Sequence, residues 1–105
     1  MGSVARWWNS CLHTGCLTYS ADWSDGAPAE APKSDVYDAY AAYTVYGKEN
    51  DVHFWRKLRQ MASFTTDRRA GVGFGAASAR CVQFGPLAAC KADFRAFVRI
   101  PEWTF

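Results

Sequence analysis

A cluster of nitrogen-rich side chains between residues 51 and 62 has the composition of a nucleic-acid-binding surface. At about 100° per residue on a helix, one arc of this segment carries His53, Arg56, Lys57 and Gln60, with Arg59 at its edge. Such side chains donate hydrogen bonds to phosphates and base edges, where arginine suits guanine and glutamine suits adenine. The pattern predicts a DNA-contacting helix, with an ordinary solvated basic face as the alternative.

The opposite arc of the same helix is apolar, which gives the segment a face to bury. It carries Phe54, Trp55, Leu58, Met61 and Ala62. A helix with one apolar stripe and one basic face fits a surface position on a folded domain. On the basic face, His53 adds a pH dependence to the predicted binding, unless it is an ordinary surface histidine.

The preceding segment predicts a second helix, over residues 35–46, which would position the basic one. Ser34 is placed to cap it, with an acidic residue in its first turn. The run Gly47–Asn50 breaks this helix, and Asn50 or Asp51 can cap the next. Two amphipathic helices joined by a four-residue break predict a helix-turn-helix. For the helix predicted over residues 35–46, a buried stripe is favoured over a base-stacking platform. The residues of this stripe are Val36, Tyr37, Tyr40, Tyr43 and Thr44.

The segment after the basic helix predicts a β-hairpin over residues 63–84. Residues 63–66 and 79–84 have β-propensity and flank the glycine-rich stretch 70–75. A hairpin in this place is a wing, and its arginines are predicted to contact the flanking DNA backbone: Arg68, Arg69 and Arg80.

The glycine-rich stretch also fits, loosely, a dinucleotide-binding loop. Gly71, Gly73 and Ala76 match its spacing. No convincing helix opens there, and the remaining chain is too short for a βαβ sheet, so no cofactor is expected.

The rest of the chain completes one domain over residues 1–105. Apolar spacing predicts helices over 4–13 and 86–98, and glycines and prolines predict a surface loop over 14–33. Trp103 is expected to fold back onto the core. The expected class is α+β and mainly helical, a winged helix-turn-helix with an extra N-terminal helix and a C-terminal helix.

Charge is distributed unevenly along the chain. Residues 1–50 carry three Lys or Arg against six Asp or Glu, for −3, whereas residues 51–105 carry nine against four, for +5. The basic second half favours a polyanionic partner. The apolar runs are too short for a membrane span or a secretory signal, which predicts a cytoplasmic protein without a membrane partner.

The cysteines and histidines offer one alternative chemistry. Cys11, His13 and Cys16 could bind zinc if Cys81 or Cys90 completed the site. Two tight ligand pairs are missing, so four reduced thiols are favoured. Neither histidine lies in a recognisable nucleophile motif, and no catalytic residue or metal is predicted.

Four runs of sequence carry a resemblance to a known family: Ser34-Asp-Val-Tyr-Asp-Ala-Tyr, Phe54-Trp-Arg-Lys-Leu-Arg, Arg80-Cys-Val-Gln-Phe-Gly-Pro-Leu-Ala-Ala-Cys-Lys-Ala-Asp-Phe and Pro101-Glu-Trp. They resemble the C-terminal winged-helix region of phage and mobile-element primase-helicases, which follows a superfamily-three helicase core. The resemblance implies binding of origin or template DNA during replication, duplex rather than single-stranded, alongside other domains of a larger replication protein.

The chain lacks a G-x-x-x-x-G-K-[ST] motif, so the helicase activity of such proteins is not expected to reside in it, and no enzyme activity of its own is predicted. The alternative function is a protein-interaction or oligomerisation module of a replication complex. Solvent exposure of tryptophans would favour that alternative, and the four candidates are Trp7, Trp8, Trp23 and Trp103.

Overall fold

A computed structural model describes residues 2–17, 23–68 and 80–105. In these ranges the elements are α1 (Ser3–Thr14), β1 (Ala29–Pro32), α2 (Lys33–Tyr43), α3 (Asp51–Met61), β2 (Phe64–Arg68), β3 (Arg80–Phe84) and α4 (Leu87–Val98). The strands form one antiparallel sheet in the order β1-β3-β2. The predicted α+β, mainly helical class is confirmed.

Strand β1 lies inside the segment predicted as a loop, and that prediction is wrong for residues 29–32. β1 is an edge strand of the described sheet, where the missing N–H of Pro32 is tolerated. Ala29 and Ala31 are buried and alternate with exposed residues. Two alanines give almost no alternation signal in a sequence, and the prolines around them indicate a loop.

The bounds of α2 also differ from the prediction. β1 leads directly into α2, so Pro32 occupies the N-cap position without a side-chain cap, and Ser34 lies in the first turn. The helix ends at Tyr43 rather than at residue 46, because Thr44 adopts an extended conformation, with φ −96° and ψ 115°, which β-branched residues favour. The connection to α3 therefore spans residues 44–50 rather than the four predicted.

The core is built from aromatic rings between α1 and the other elements. Trp8 is fully buried, with ring centroids 4.9 Å from Phe84 of the sheet and 5.5 Å from Trp23. Trp7 packs 5.5 Å from Phe54 of α3. Helix α1 thus holds the sheet and α3 in one core.

The chain end folds back onto this core, as predicted. The Trp103 ring lies 5.9 Å from that of Phe94 in α4, and its Nε1 donates a hydrogen bond to Asn9 Oδ1 at 3.0 Å. None of the helices in the described ranges has both the length and the apolar character needed to span a bilayer.

Candidate nucleic-acid interface

The basic face of α3 points to solvent, and its apolar face is buried. Phe54, Trp55, Leu58 and Met61 are buried, whereas all five predicted site residues of this helix are exposed: His53, Arg56, Lys57, Arg59 and Gln60. The predicted amphipathic pattern is confirmed. It leaves a solvated surface on which hydrogen-bond donors lie along the whole length of α3.

An N-cap fixes the start of α3. Asn50 Oδ1 accepts a hydrogen bond from the His53 N–H at 2.9 Å, which satisfies one of the unpaired N–H groups of the first turn. Trp55 Nε1 donates to Asp51 Oδ1 at 2.9 Å and joins that first turn to the second. One of the two capping residues predicted, Asn50, is confirmed.

Replacing Asn50 with alanine should lower the free energy of unfolding by about 1 kcal/mol, because the cap is lost. Urea unfolding followed by tryptophan fluorescence measures the change. Serine also caps helices, so Asn50→Ser should retain most of the stability. An equal loss in both variants would show that the cap is not the stabilising contact.

Tyrosine hydroxyls from α2 hold the connection between the two helices. Tyr37 Oη donates to the Glu49 carbonyl at 2.8 Å, and Tyr40 Oη accepts from the Glu49 N–H at 2.7 Å. Ser3 of α1 donates to the carbonyl of Gly47 at 2.8 Å. Gly47 has a φ of +72°, in the left-handed region that favours glycine. Contacts with α1 and α2 therefore hold the seven-residue connection, residues 44–50, in place.

Glu49 lies against the basic face and shields part of it. Its carboxylate accepts a hydrogen bond from Lys57 Nζ, and its Oε2 lies 3.9 Å from His53 Nδ1. The Lys57 hydrogen bond, followed by the charges of Lys57 and His53, lowers the pKa of Glu49 below its ordinary value. Glu49 therefore remains an anion beside two of the predicted contact residues, while Arg56 and Gln60 have no such acidic neighbour among the described interactions.

Arg59 joins α3 to the hairpin. Its guanidinium lies 4.5 Å from the centroid of the Phe64 ring, at the start of β2. Exposed cation–π contacts of this kind contribute about 0.5–1 kcal/mol. Arg59 is thus oriented toward the strand that follows α3, at the edge of the basic face as predicted.

Of the three hairpin arginines, only Arg80 has a described side chain. Arg68 and Arg80 are backbone partners at the ends of β2 and β3. Arg80 lines a cavity of about 470 Å³ together with Lys33, Asp38 and Asp51. It is therefore close to the N-termini of α2 and α3, among mixed charges. The Arg68 side chain, Arg69 and the wing tip at 70–75 lie outside the described residues.

The solvent exposure of the tryptophans and other large apolar side chains bears on the choice between DNA binding and protein interaction. Trp7, Trp8 and Trp23 are buried and Trp103 is half-buried, so the tryptophans do not form an exposed patch. Tyr43, expected in the buried stripe of α2, is 49% exposed. Sequence reasoning missed a more exposed apolar group in and after the α2–α3 connection, formed by Val45, Tyr46 and Val52.

All four cysteines named in the zinc alternative lie among the described residues. Cys11 and Cys90 are buried, Cys81 is half-buried and Cys16 is exposed, all as free thiols. Burial raises the pKa of Cys90 to about 12. Across the described ranges, no three His, Cys, Asp or Glu side chains are grouped closely enough to hold a metal ion.

Comparison with known proteins gives no relative: no family model, no curated protein and no solved structure matches this chain.

Proposed function

We propose that this chain is a DNA-binding winged-helix domain that uses α3 as its recognition helix. The observation that carries the proposal is that the basic face of α3 is exposed to solvent, whereas its other face is fixed in the aromatic core. A rigid helix with an exposed row of donors is the element that reads a major groove. His53, Arg56, Lys57 and Gln60 would face bases or phosphates.

The order of elements supports the winged-helix assignment. α2 and α3 are followed at once by the antiparallel pair β2 and β3. A hairpin directly after a helix-turn-helix is in the position of a wing. In this arrangement Arg68, Arg69 and Arg80 would contact the backbone that flanks the groove.

Phosphate contacts would supply most of the affinity, since neutralised phosphates release condensed counterions. Arg56 and Gln60 would supply the sequence preference, because their side chains pair with guanine and adenine edges in the major groove. Arg59 would orient α3 relative to the hairpin through its contact with Phe64.

The sequence resemblance supports a place for this domain in a phage or mobile-element primase-helicase, as a C-terminal part that binds origin or template DNA in the cytoplasm. Any catalytic activity would then belong to other domains of the parent protein. The contribution of this chain is to position DNA.

Fluorescence anisotropy with a labelled duplex, and with one of its strands alone, tests the proposal. We expect tighter binding of the duplex and a log-log salt dependence whose slope grows by about −0.9 for each phosphate contacted. Absence of binding, or binding that does not change with salt, would overturn the proposal.

Replacing Glu49 with glutamine should strengthen duplex binding, by about two- to fivefold, because it removes an anion that holds Lys57 and faces the phosphates. The salt slope should become steeper by up to about 0.9 if Lys57 gains a phosphate contact. Glu102→Gln removes an equal charge from the exposed chain end and should leave affinity nearly unchanged. Weaker binding by the Glu49 variant would mean that Glu49 positions Lys57 for DNA rather than shielding it.

A protein-interaction module is the second candidate, and the exposed apolar residues of the α2–α3 connection and the first turn of α3 favour it. Tyr46 is 89% exposed, Val45 78% and Val52 62%. Large apolar side chains with this degree of exposure are available for contact with another protein. Self-association measured by sedimentation, abolished by Tyr46→Ser and Val52→Ser together, would support this candidate over DNA binding.

A further inference from the structure

The C-terminus of α1 brings two cysteines together. Gly15 has a φ of +70°, and the N–H groups of Gly15 and Cys16 both donate to the carbonyl of Cys11, at 2.8 and 3.2 Å. This left-handed cap folds Cys16 back over the last turn and pairs its backbone N–H with the Cys11 carbonyl. In caps of this kind the side chains of these two positions frequently pack together.

Both thiols line one groove between α1 and α2, with a volume of about 750 Å³. Cys16 is exposed, whereas Cys11 is only 5% exposed and forms part of the buried side of the groove. Burial above all, and then the charge of Cys16, raises the pKa of Cys11. The pair therefore consists of one accessible thiol and one protected thiol beside it.

We propose that Cys11 and Cys16 form a dithiol site that small disulfides oxidise to an intramolecular disulfide at the end of α1.

The reaction is two successive thiol–disulfide exchanges. The Cys16 thiolate attacks one sulfur of the small disulfide, a mixed disulfide forms, and the first small thiolate leaves. Cys11 then gives its proton to water and its sulfur attacks Cys16 Sγ, which expels the second small thiolate. The protein loses two electrons and two protons, and the small disulfide is reduced to two thiols.

The charges that line the groove favour small disulfides that are cationic over those that are anionic. Asp35 and Asp38 line it from α2, and no Lys, Arg or His side chain among the described residues lines it with them. Asp38 also borders the separate cavity that holds Lys33 and Arg80. Their field concentrates cations and repels anions. Cystamine, which carries two ammonium groups, should therefore react faster than the anionic glutathione disulfide.

Intact-mass analysis of the folded Cys81→Ser chain treated with cystamine tests the proposal. We expect a product lighter by two hydrogens, without a bound cysteamine, in which peptide mapping joins residues 11 and 16. Adding Cys11→Ser should trap a cysteamine adduct on Cys16, and adding Cys16→Ser should prevent the fast reaction.

A stable adduct on Cys16 with Cys11 still present, or a disulfide that includes Cys90, would overturn the proposal. Because Cys11 is buried, the mapped product of the Cys81→Ser chain decides the outcome even if the Cys11 variant unfolds. Asp35→Asn with Asp38→Asn should remove the preference for cystamine over glutathione disulfide. An unchanged preference would overturn the assigned charge selection.

Discussion

The double variant Arg56→Ala and Lys57→Ala should bind duplex DNA roughly 30- to 1,000-fold more weakly than the parent chain, since the base-contacting arginine and the phosphate-contacting lysine are each expected to contribute about 1–2 kcal/mol. Both side chains are exposed on α3, so their removal leaves the core intact. Without Lys57, the Glu49 carboxylate also loses its hydrogen-bond partner and repels the phosphates. Anisotropy at two salt concentrations measures the loss, and the salt slope should become shallower by about 0.9 because the phosphate contact of Lys57 is removed.

The matched control removes two positive charges from the other end of the chain. Lys91→Ala with Arg99→Asn alters α4 and the residue after it, and asparagine tolerates the left-handed conformation of Arg99, whose φ is 61°. We expect this control to lose little affinity. Equal losses in the two double variants would show that binding depends on net charge and not on α3.

Replacing Phe54 with alanine should lower the free energy of unfolding by about 3–5 kcal/mol, as expected for truncating a fully buried phenylalanine. Phe54 is 0% exposed, and its ring lies 4.6 Å from Tyr40 and 5.5 Å from Trp7. It therefore connects α3 to α2 and α1 at one point. Urea unfolding followed by tryptophan fluorescence measures the change.

Val52→Ala provides the comparison on the same helix. Val52 is 62% exposed, so its truncation should change stability by no more than about 0.5 kcal/mol. If Phe54→Ala were as mild as Val52→Ala, the aromatic cluster would not be what fixes α3, and the basic face would lack a rigid support.

The faces of α3 could be predicted from the sequence because the helical period separates charged from aromatic side chains without help from other elements. Phe54 and Leu58 are both fully buried, and Arg56 and Lys57 are exposed. The cap at Asn50 was likewise a local signal, since a capping side chain contacts a backbone group three residues away.

Features that depend on distant residues escaped prediction. β1 forms because Ala29 and Ala31 pair with Phe84 and Val82, more than fifty residues along the chain. The position of β1 then moves the start of α2 to Lys33, and Ser34 loses its predicted capping role.

The electrostatic environment of the candidate site also depends on the fold. In the sequence Glu49 is only one of the charges of the acidic first half, whereas in the fold it lies against Lys57 and His53. The tyrosines of α2 fix Glu49 in that position through its backbone N–H and carbonyl. A charge count along the sequence cannot show which cations an acidic residue neutralises.

Backbone amide chemical shifts of the ¹⁵N-labelled chain, recorded while a duplex is added, test most directly whether α3 contacts DNA. The proposed function predicts that the largest shifts fall within Asp51–Met61 and in the strands β2 and β3, and that they diminish in the Arg56→Ala and Lys57→Ala variant. Shifts confined to α1 and α4, or no shifts at a DNA concentration that saturates binding of comparable domains, would contradict it.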